Sequence, residues 1–402
     1  MGNYARAPIT IVRGEGCTLW DDAGRAYLDC IGGIAVCALG HSHPAIADAV
    51  STQARTLVHC SNLYYHEPSG RLARELSARS GLASVFFCNS GTEANEAAIK
   101  LARKLAYRRG ETRRSTILSC TGSFHGRTLG ALSATANDAY KAGFGPLPDG
   151  FEVTPFNDVA ALDAHLDDRV AAFIVEPVQG ESGVHPADRS FLEAARRLCD
   201  ERGALLIFDE IQCGMGRLGP LFAFEHFGVV PDVVTLAKSL ANGLPIGAMI
   251  VAERAKGALQ PGDHGSTFGG SPVPAAAALA HLRVRDEMDL AVHVRDASAR
   301  FHHGLSEIAA AYPNVAGSPR GVGLLLGFPV RDPVTASDIV VALRERGVLA
   351  GTAGGNTVRF APPLIIRDHE IDAALHALSD VIANGKFGSA ESVMASTSAT
   401  AR

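Results

Sequence analysis

Short apolar runs recur at regular intervals between Ser69 and Val273, each closed by polar or glycine-rich residues. VFFC, TILS, AAFIV, ALLIFD and VVTLA are too short for buried helices and carry many β-branched or aromatic residues. They predict strands, at 85–87, 115–119, 171–176, 204–209 and 232–236, with another at 246–252. Between them, apolar positions return at helical spacing and predict helices over 69–79, 93–108 and 189–201. This alternation is the signature of an α/β fold, a layered sheet covered by helices with many of its strands parallel. The strand ends are rich in Gly, Ser, Thr and Asn, where such sheets place ligands.

The chain ends read differently. Around the turn DDAGR, apolar and polar positions alternate and predict a meander of strands at 9–12, 18–21 and 26–29, followed by a glycine loop and a helix from Pro44. From Pro272 an alanine-rich helical pattern reaches Glu307 with one break. Strands near 322–328 and 357–360 and helices over 336–346 and 368–383 follow. The expected division is a large domain over 51–285 and a small α+β domain from 286–385, to which residues 1–50 contribute. The tail 386–402 is small and polar, a composition that predicts disorder.

Composition narrows the function classes. With 37 Lys and Arg against 42 Asp and Glu, the formal charge is −5, which gives no reason to expect nucleic acid or an anionic membrane as partner. The apolar runs are too short to span a bilayer. The 8 Cys are scattered without a C-x-x-C pair, and the start MGNYARAP lacks the pattern of a signal peptide. A cytoplasmic, reducing setting is the expectation.

Two of the apolar runs end in one ionisable residue each, Asp209 and Lys238. A charge at the end of a buried strand is costly unless pairing or chemistry uses it. An acid and a lysine at strand ends suggest a cofactor held at both ends, a ring cation facing the carboxylate and a carbonyl carbon facing the amine. Ser90-Gly91-Thr92-Glu93 stands between a strand and a helix; by itself it reads first as an ordinary capping box, and second as a phosphate seat at a helix N-terminus. In Phe124-His125-Gly126-Arg127, an aromatic beside a glycine turn could stack on a planar ring, and Arg127 could clamp a carboxylate. Arg359, at the edge of another apolar run, is a second candidate clamp. Glu176 and Glu181, in EPVQGE, could pair with an arginine. The histidines form no metal set, and GMGRLG at 214–219 does not open a helix, so it is a weak dinucleotide fingerprint.

SGTEANEAAIK, GSFHGRT, EPVQGE, LLIFDEIQCGMGR, LAKSLANGLPIGA, STFGG and VRFAPPLI, in this order, resemble the ornithine-type, class III aminotransferases that use pyridoxal 5′-phosphate. The likeness runs from about Thr10 to Ala383. GIAV, LGHSHP and SNLYYHEP are similar to the acetylornithine branch of that family. The resemblance implies fold type I of the pyridoxal-phosphate-dependent transferases (aspartate aminotransferase-like), with a mixed seven-stranded sheet in the large domain. It implies Lys238 as the lysine bonded to the cofactor and the proton carrier, and Asp209 as the partner of the ring nitrogen. Gln212 would contact the ring hydroxyl, and Phe124 would stack on the ring with His125 beside it. Ser90, Gly91 and Thr92 would bind the phosphate, with Thr267 reaching the phosphate of a neighbouring subunit in a homodimer. Arg127 would take the distal carboxylate, and Arg359, paired with Glu181 in the alternate state, the α-carboxylate. The implied reaction is a ping-pong transfer of the δ-amino group of N2-acetyl-L-ornithine to 2-oxoglutarate, giving glutamate. Sister donors are succinylornithine, succinyldiaminopimelate, ornithine or 4-aminobutyrate. Two positions depart from the branch: Cys37 in the loop expected to line the substrate entrance, and Ser271 after FGG, both where Asn is usual.

Overall fold

The computed structural model describes residues 1–385; the predicted disordered tail, 386–402, lies outside the described residues. In chain order, the strands begin with β1 (Ile11–Glu15), β2 (Thr18–Asp21) and β3 (Ala26–Asp29). Next come β4 (Ser84–Cys88), β5 (Thr116–Cys120), β6 (Phe151–Thr154) and β7 (Val170–Val175). A short ribbon, β8 (Val178–Gln179) and β9 (His185–Pro186), precedes β10 (Leu205–Asp209), β11 (Val233–Leu236) and β12 (Gly247–Val251). The C-terminal strands are β13 (Arg320–Val322), β14 (Leu325–Pro329), β15 (Val348–Leu349), β16 (Gly351–Ala353) and β17 (Thr357–Phe360).

Seven strands form the large sheet in the order β4-β12-β11-β10-β7-β5-β6. Strand β12 runs antiparallel to both neighbours, and the other pairs are parallel, so the sheet is mixed. Every residue of β7, β10, β11 and β12 is buried, which explains why their sequences read as continuous apolar runs rather than alternating ones. The edge strand β6 escapes the hydrophobic pattern because it is short and half-covered, with Glu152 in its middle.

The predicted strand over 322–328 is two strands, β13 and β14, joined by a tight hairpin at Gly323, whose φ of 57° is left-handed. The long helical stretch breaks once, at Asp289 (φ 45°), into helices Pro272–Glu287 and Leu290–Ala311. Ser271 is the N-cap residue of the first, without a side-chain capping bond. The two chain ends share a sheet, because β15 pairs in parallel with β3 of the N-terminal meander. Strands β4, β5, β7, β10 and β11 point their C-terminal ends the same way, and Ser90, Phe124, Glu176, Asp209 and Lys238 follow those ends. One edge of the sheet thereby collects the chemistry.

Candidate active site

The helix Gly91–Arg108 opens at this edge. Ser90 caps it, its hydroxyl accepting from the Glu93 N–H at 3.3 Å. The predicted capping box closes only halfway: Glu93 accepts instead from the Asn89 N–H at 2.5 Å. First-turn N–H groups lack intrahelical acceptors, so they face the cavity as donors for an anion. Gly91 packs closely: a Cβ there would lie 2.8 Å from the Ile211 side chain, which would have to move aside. The Thr92 hydroxyl is aimed by Thr128, 2.7 Å away, which in turn donates to Glu96 at 2.6 Å.

Asp209 ends β10 and is 3 % exposed. Its Oδ2 accepts from Asn95 Nδ2 at 2.7 Å and lies 2.8 Å from His125 Nδ1, while Oδ1 accepts from the Ile211 N–H at 3.1 Å. Asn95 is fixed in turn by Thr235, whose hydroxyl donates to it at 2.8 Å. The register of β10 on β11, Asp209 opposite Thr235, makes this bond possible. Sequence reading passed over Asn95 and Thr235. The available signal was an amide inside an alanine-rich helix, one turn after the phosphate-like cap. Glu176 is buried against the same cavity and accepts from the Phe124 N–H at 3.0 Å. Burial, with Asp209 nearby, pushes its carboxyl well above the usual range.

Lys238 begins a 3₁₀ turn, Lys238–Ala241, two residues past the end of β11, and its φ of 39° is left-handed. Burial pulls its amine down to about 8, against the opposing pull of Glu181. Asp209, Lys238, Ser90, Gly91, Thr92, Phe124, His125, Arg127 and Gln212 all line one cavity of about 410 Å³. The sequence-predicted groups at the strand ends therefore do converge.

The remaining candidates take other places. Arg359, on β17, is 4 % exposed and meets Glu181 at 2.6 Å, the Gly180 carbonyl at 3.1 Å and Gln212 Oε1 at 3.2 Å. Gln212 Nε2 also donates to Glu181 at 3.1 Å. Although burial pushes Glu181 up, Arg359 outweighs it and holds the carboxyl below its usual range. Arg127 is exposed and stacks over the Tyr140 ring at 3.7 Å, and Tyr140 meets Phe124 edge-on. Thr267 lies outside the main cavity, in a separate recess beside Glu93 and Glu96. Cys37 is half-buried beside Val36, and only Val36 lines the cavity.

A family model for class III aminotransferases matches residues 2–382. The chain belongs to the class III aminotransferases. It is 50% identical to the acetylornithine aminotransferase of Thermosynechococcus vestitus, over 96% of this chain and 95% of that protein. It is 46% identical to the acetylornithine aminotransferase of Methanocaldococcus jannaschii, over 94% of each. Among solved structures, the ornithine aminotransferase of Toxoplasma gondii superposes with a TM-score of 0.92 at 36% identity, covering 96% of this chain and 92% of that one. This aminotransferase has fold type I and depends on pyridoxal phosphate. The residues fit the cofactor: a helix start at Gly91 with no side chain over it, a buried carboxylate at Asp209 and a desolvated amine at Lys238 surround one cavity. When bound, the cofactor supplies the electron sink for breaking bonds at the substrate carbon.

Proposed function

We propose that this aminotransferase moves the δ-amino group of N2-acetyl-L-ornithine to 2-oxoglutarate, releasing N-acetyl-L-glutamate 5-semialdehyde and L-glutamate. The observation that carries this reading is the closed Arg359–Glu181 pair, at 2.6 Å, beside a cavity with a second arginine, Arg127, at its exposed side. A donor that reacts at its δ-end brings no carboxylate next to the reacting carbon and leaves the pair shut. 2-Oxoglutarate brings a carboxylate there, which can replace Glu181 on Arg359 with the same charge-assisted geometry. One pocket then accepts two unlike partners in turn.

Arg127 favours the acylated donor. No carboxylate pairs with it among the described residues. The α-ammonium of free ornithine would meet an uncompensated cation there, whereas an N-acetyl amide carries no charge. In this reading Ser90, Gly91 and Thr92 hold the cofactor phosphate, Phe124 covers the ring, His125 and Asn95 orient Asp209, and Gln212 reaches the ring hydroxyl. Lys238 Nζ takes the proton from the donor's δ-carbon. An amine brought down to about 8 keeps roughly a tenth of its molecules neutral at pH about 7, enough to act as a base. Thr267, outside its own cavity, serves the phosphate of a second copy in a homodimer. Residues 1–50 and 286–385 form the small domain against a large domain of 51–285. The enzyme works in the cytoplasm, in arginine biosynthesis.

The test is a donor panel with 2-oxoglutarate as acceptor: N-acetylornithine, succinylornithine, succinyldiaminopimelate, ornithine and 4-aminobutyrate. The highest kcat/KM is expected for N-acetylornithine. A preference for free ornithine would overturn the reading.

A further inference from the structure

The two arginines beside the cavity are held by opposite means. Arg359 is paired with a carboxylate, whereas the Arg127 side chain makes neither an ion pair nor a hydrogen bond among the described residues. Its guanidinium carbon lies 3.7 Å from the centre of the Tyr140 ring. At that distance an edge-on guanidinium would drive a nitrogen into the ring, so its plane lies flat on the ring face. The negative face of an aromatic ring attracts a cation without neutralising it. The N–H donors of the fork then point outward along its edge and stay free for a bidentate carboxylate. Arg359 must give up a partner before it takes substrate, and Arg127 has none to release.

Tyr140 is itself placed by the segment that builds the cavity wall. It sits in the short helix Asp138–Lys141, capped by Asn137, whose side chain accepts from the Ala139 N–H at 3.1 Å. Just before that cap, the Ala136 N–H donates to the carbonyl and to the hydroxyl of Ser123, each at 3.2 Å. Just after Tyr140, Lys141 Nζ donates to the Ser133 carbonyl at 3.2 Å. Ser123 precedes Phe124, whose ring meets the Tyr140 ring at 88° with centroids 6.0 Å apart. The Phe124 N–H is in turn held by buried Glu176 at 3.0 Å. Phe124 and Tyr140 thus form a corner, and Arg127 lies on the face of the second ring, 5.5 Å from the centre of the first. We propose that Tyr140 is a positioning residue that sets substrate specificity: its ring face holds Arg127 at the exposed side of the cavity, charged and with its donors free for the donor's carboxylate. The proposal rests on the transamination proposed above, in which Arg127 takes the carboxylate remote from the reacting carbon.

The experiment compares two donors on the holoenzyme at saturating 2-oxoglutarate: N-acetylornithine and N-acetylputrescine, the same molecule without its carboxylate. The unaltered enzyme should favour the first through a lower KM. Tyr140→Leu should raise KM for N-acetylornithine about 5- to 30-fold, hold kcat within about twofold and leave kcat/KM for N-acetylputrescine as it was. Tyr140→Phe keeps the ring face and should stay within about twofold of the parent on both donors. Trifluorophenylalanine at the same position keeps the shape, draws charge off the ring face and should match Tyr140→Leu, which holds the test open even if the leucine variant fails to fold. An equal loss on both donors would make Tyr140 merely structural. A loss in Tyr140→Phe as large as in Tyr140→Leu would move the role to the hydroxyl. A fluorinated ring that behaves like phenylalanine would remove the attraction to the ring face. Each of these results overturns the proposal. Failure of the transamination reading looks different: an unaltered enzyme that prefers free ornithine loses the acetyl assignment, and the same comparison run with ornithine and putrescine still decides Tyr140.

Discussion

Asp209 and Glu181 are carboxylates beside one cavity, and the chain holds them in opposite ways. Asp209 closes a buried strand and is bonded by Asn95, His125 and the Ile211 N–H, partners that are themselves fixed by Thr235 and the sheet register. Glu181 sits in the loop beyond β8, a quarter exposed (26%), and holds one arginine and one amide. Arg359 keeps its Nε without a partner among the described residues, a donor in reserve. In the proposed reaction the first carboxylate keeps its charge in place throughout, and its bonds lock it there. The second is more loosely seated, and in the proposed reaction it gives way to an incoming carboxylate and returns. Rigidity and exchangeability are thus built 28 positions apart from the same chemical group.

The largest break in this contrast is Asp209→Asn, which keeps the shape and removes the locked charge. Turnover should fall roughly 10²–10³-fold in steady-state assays, with both half-reactions affected alike. Asn95→Ala leaves the charge but removes one charged hydrogen bond worth about 1.5–3 kcal/mol. Its turnover should fall about 10–100-fold in the same assay, and a loss as great as that of Asp209→Asn would erase the distinction between the charge and its support. Glu181→Gln acts on the exchangeable side alone. The donor half-reaction should weaken about tenfold in single-turnover measurements, while the acceptor half-reaction keeps its rate or improves, since 2-oxoglutarate no longer competes with a carboxylate for Arg359. Equal loss in both halves would show that Glu181 is scaffold rather than gate.

The smallest effect lies outside the cavity, at His41. Its folded pKa is raised to about 9 from 6.5, so its pairing with Asp29 stabilises the fold fully below about pH 6.5. That contribution is lost as pH rises through about 9. Thermal melts across this range should decline on the alkaline side, and His41→Gln should flatten the decline.

The parts legible in the sequence were those where burial leaves little choice. The fully covered strands β7, β10 and β11 announce themselves as apolar runs, and Asp209 and Lys238 stand out because an ionisable residue interrupts that monotony. The edge strand β6 gave no such signal, since partial exposure lets polar residues in, and β8 and β9, two residues each, are too short to show any pattern. Asn95 was hidden for a different reason. A hydrogen-bond relay from Thr235 to Asn95 to Asp209 spans 140 and 114 positions of chain, and local spacing cannot show partners brought together only by strand register. The Arg359–Glu181 pair became nameable through family likeness; position alone left Arg359 a candidate clamp and Glu181 one of two acids able to pair with some arginine.

The left-handed backbone of Lys238 has a cost that falls on endurance rather than on rate. A side chain at φ 39° costs on the order of 1–3 kcal/mol, which a glycine there would not incur. Lys238→Gly should therefore be an inert protein whose cofactor-free form withstands heat better than the cofactor-free parent, by a few degrees in a melting scan. The working enzyme is the more perishable of the two: the turn that makes it useful is also where the chain has given up some of its resistance to unfolding.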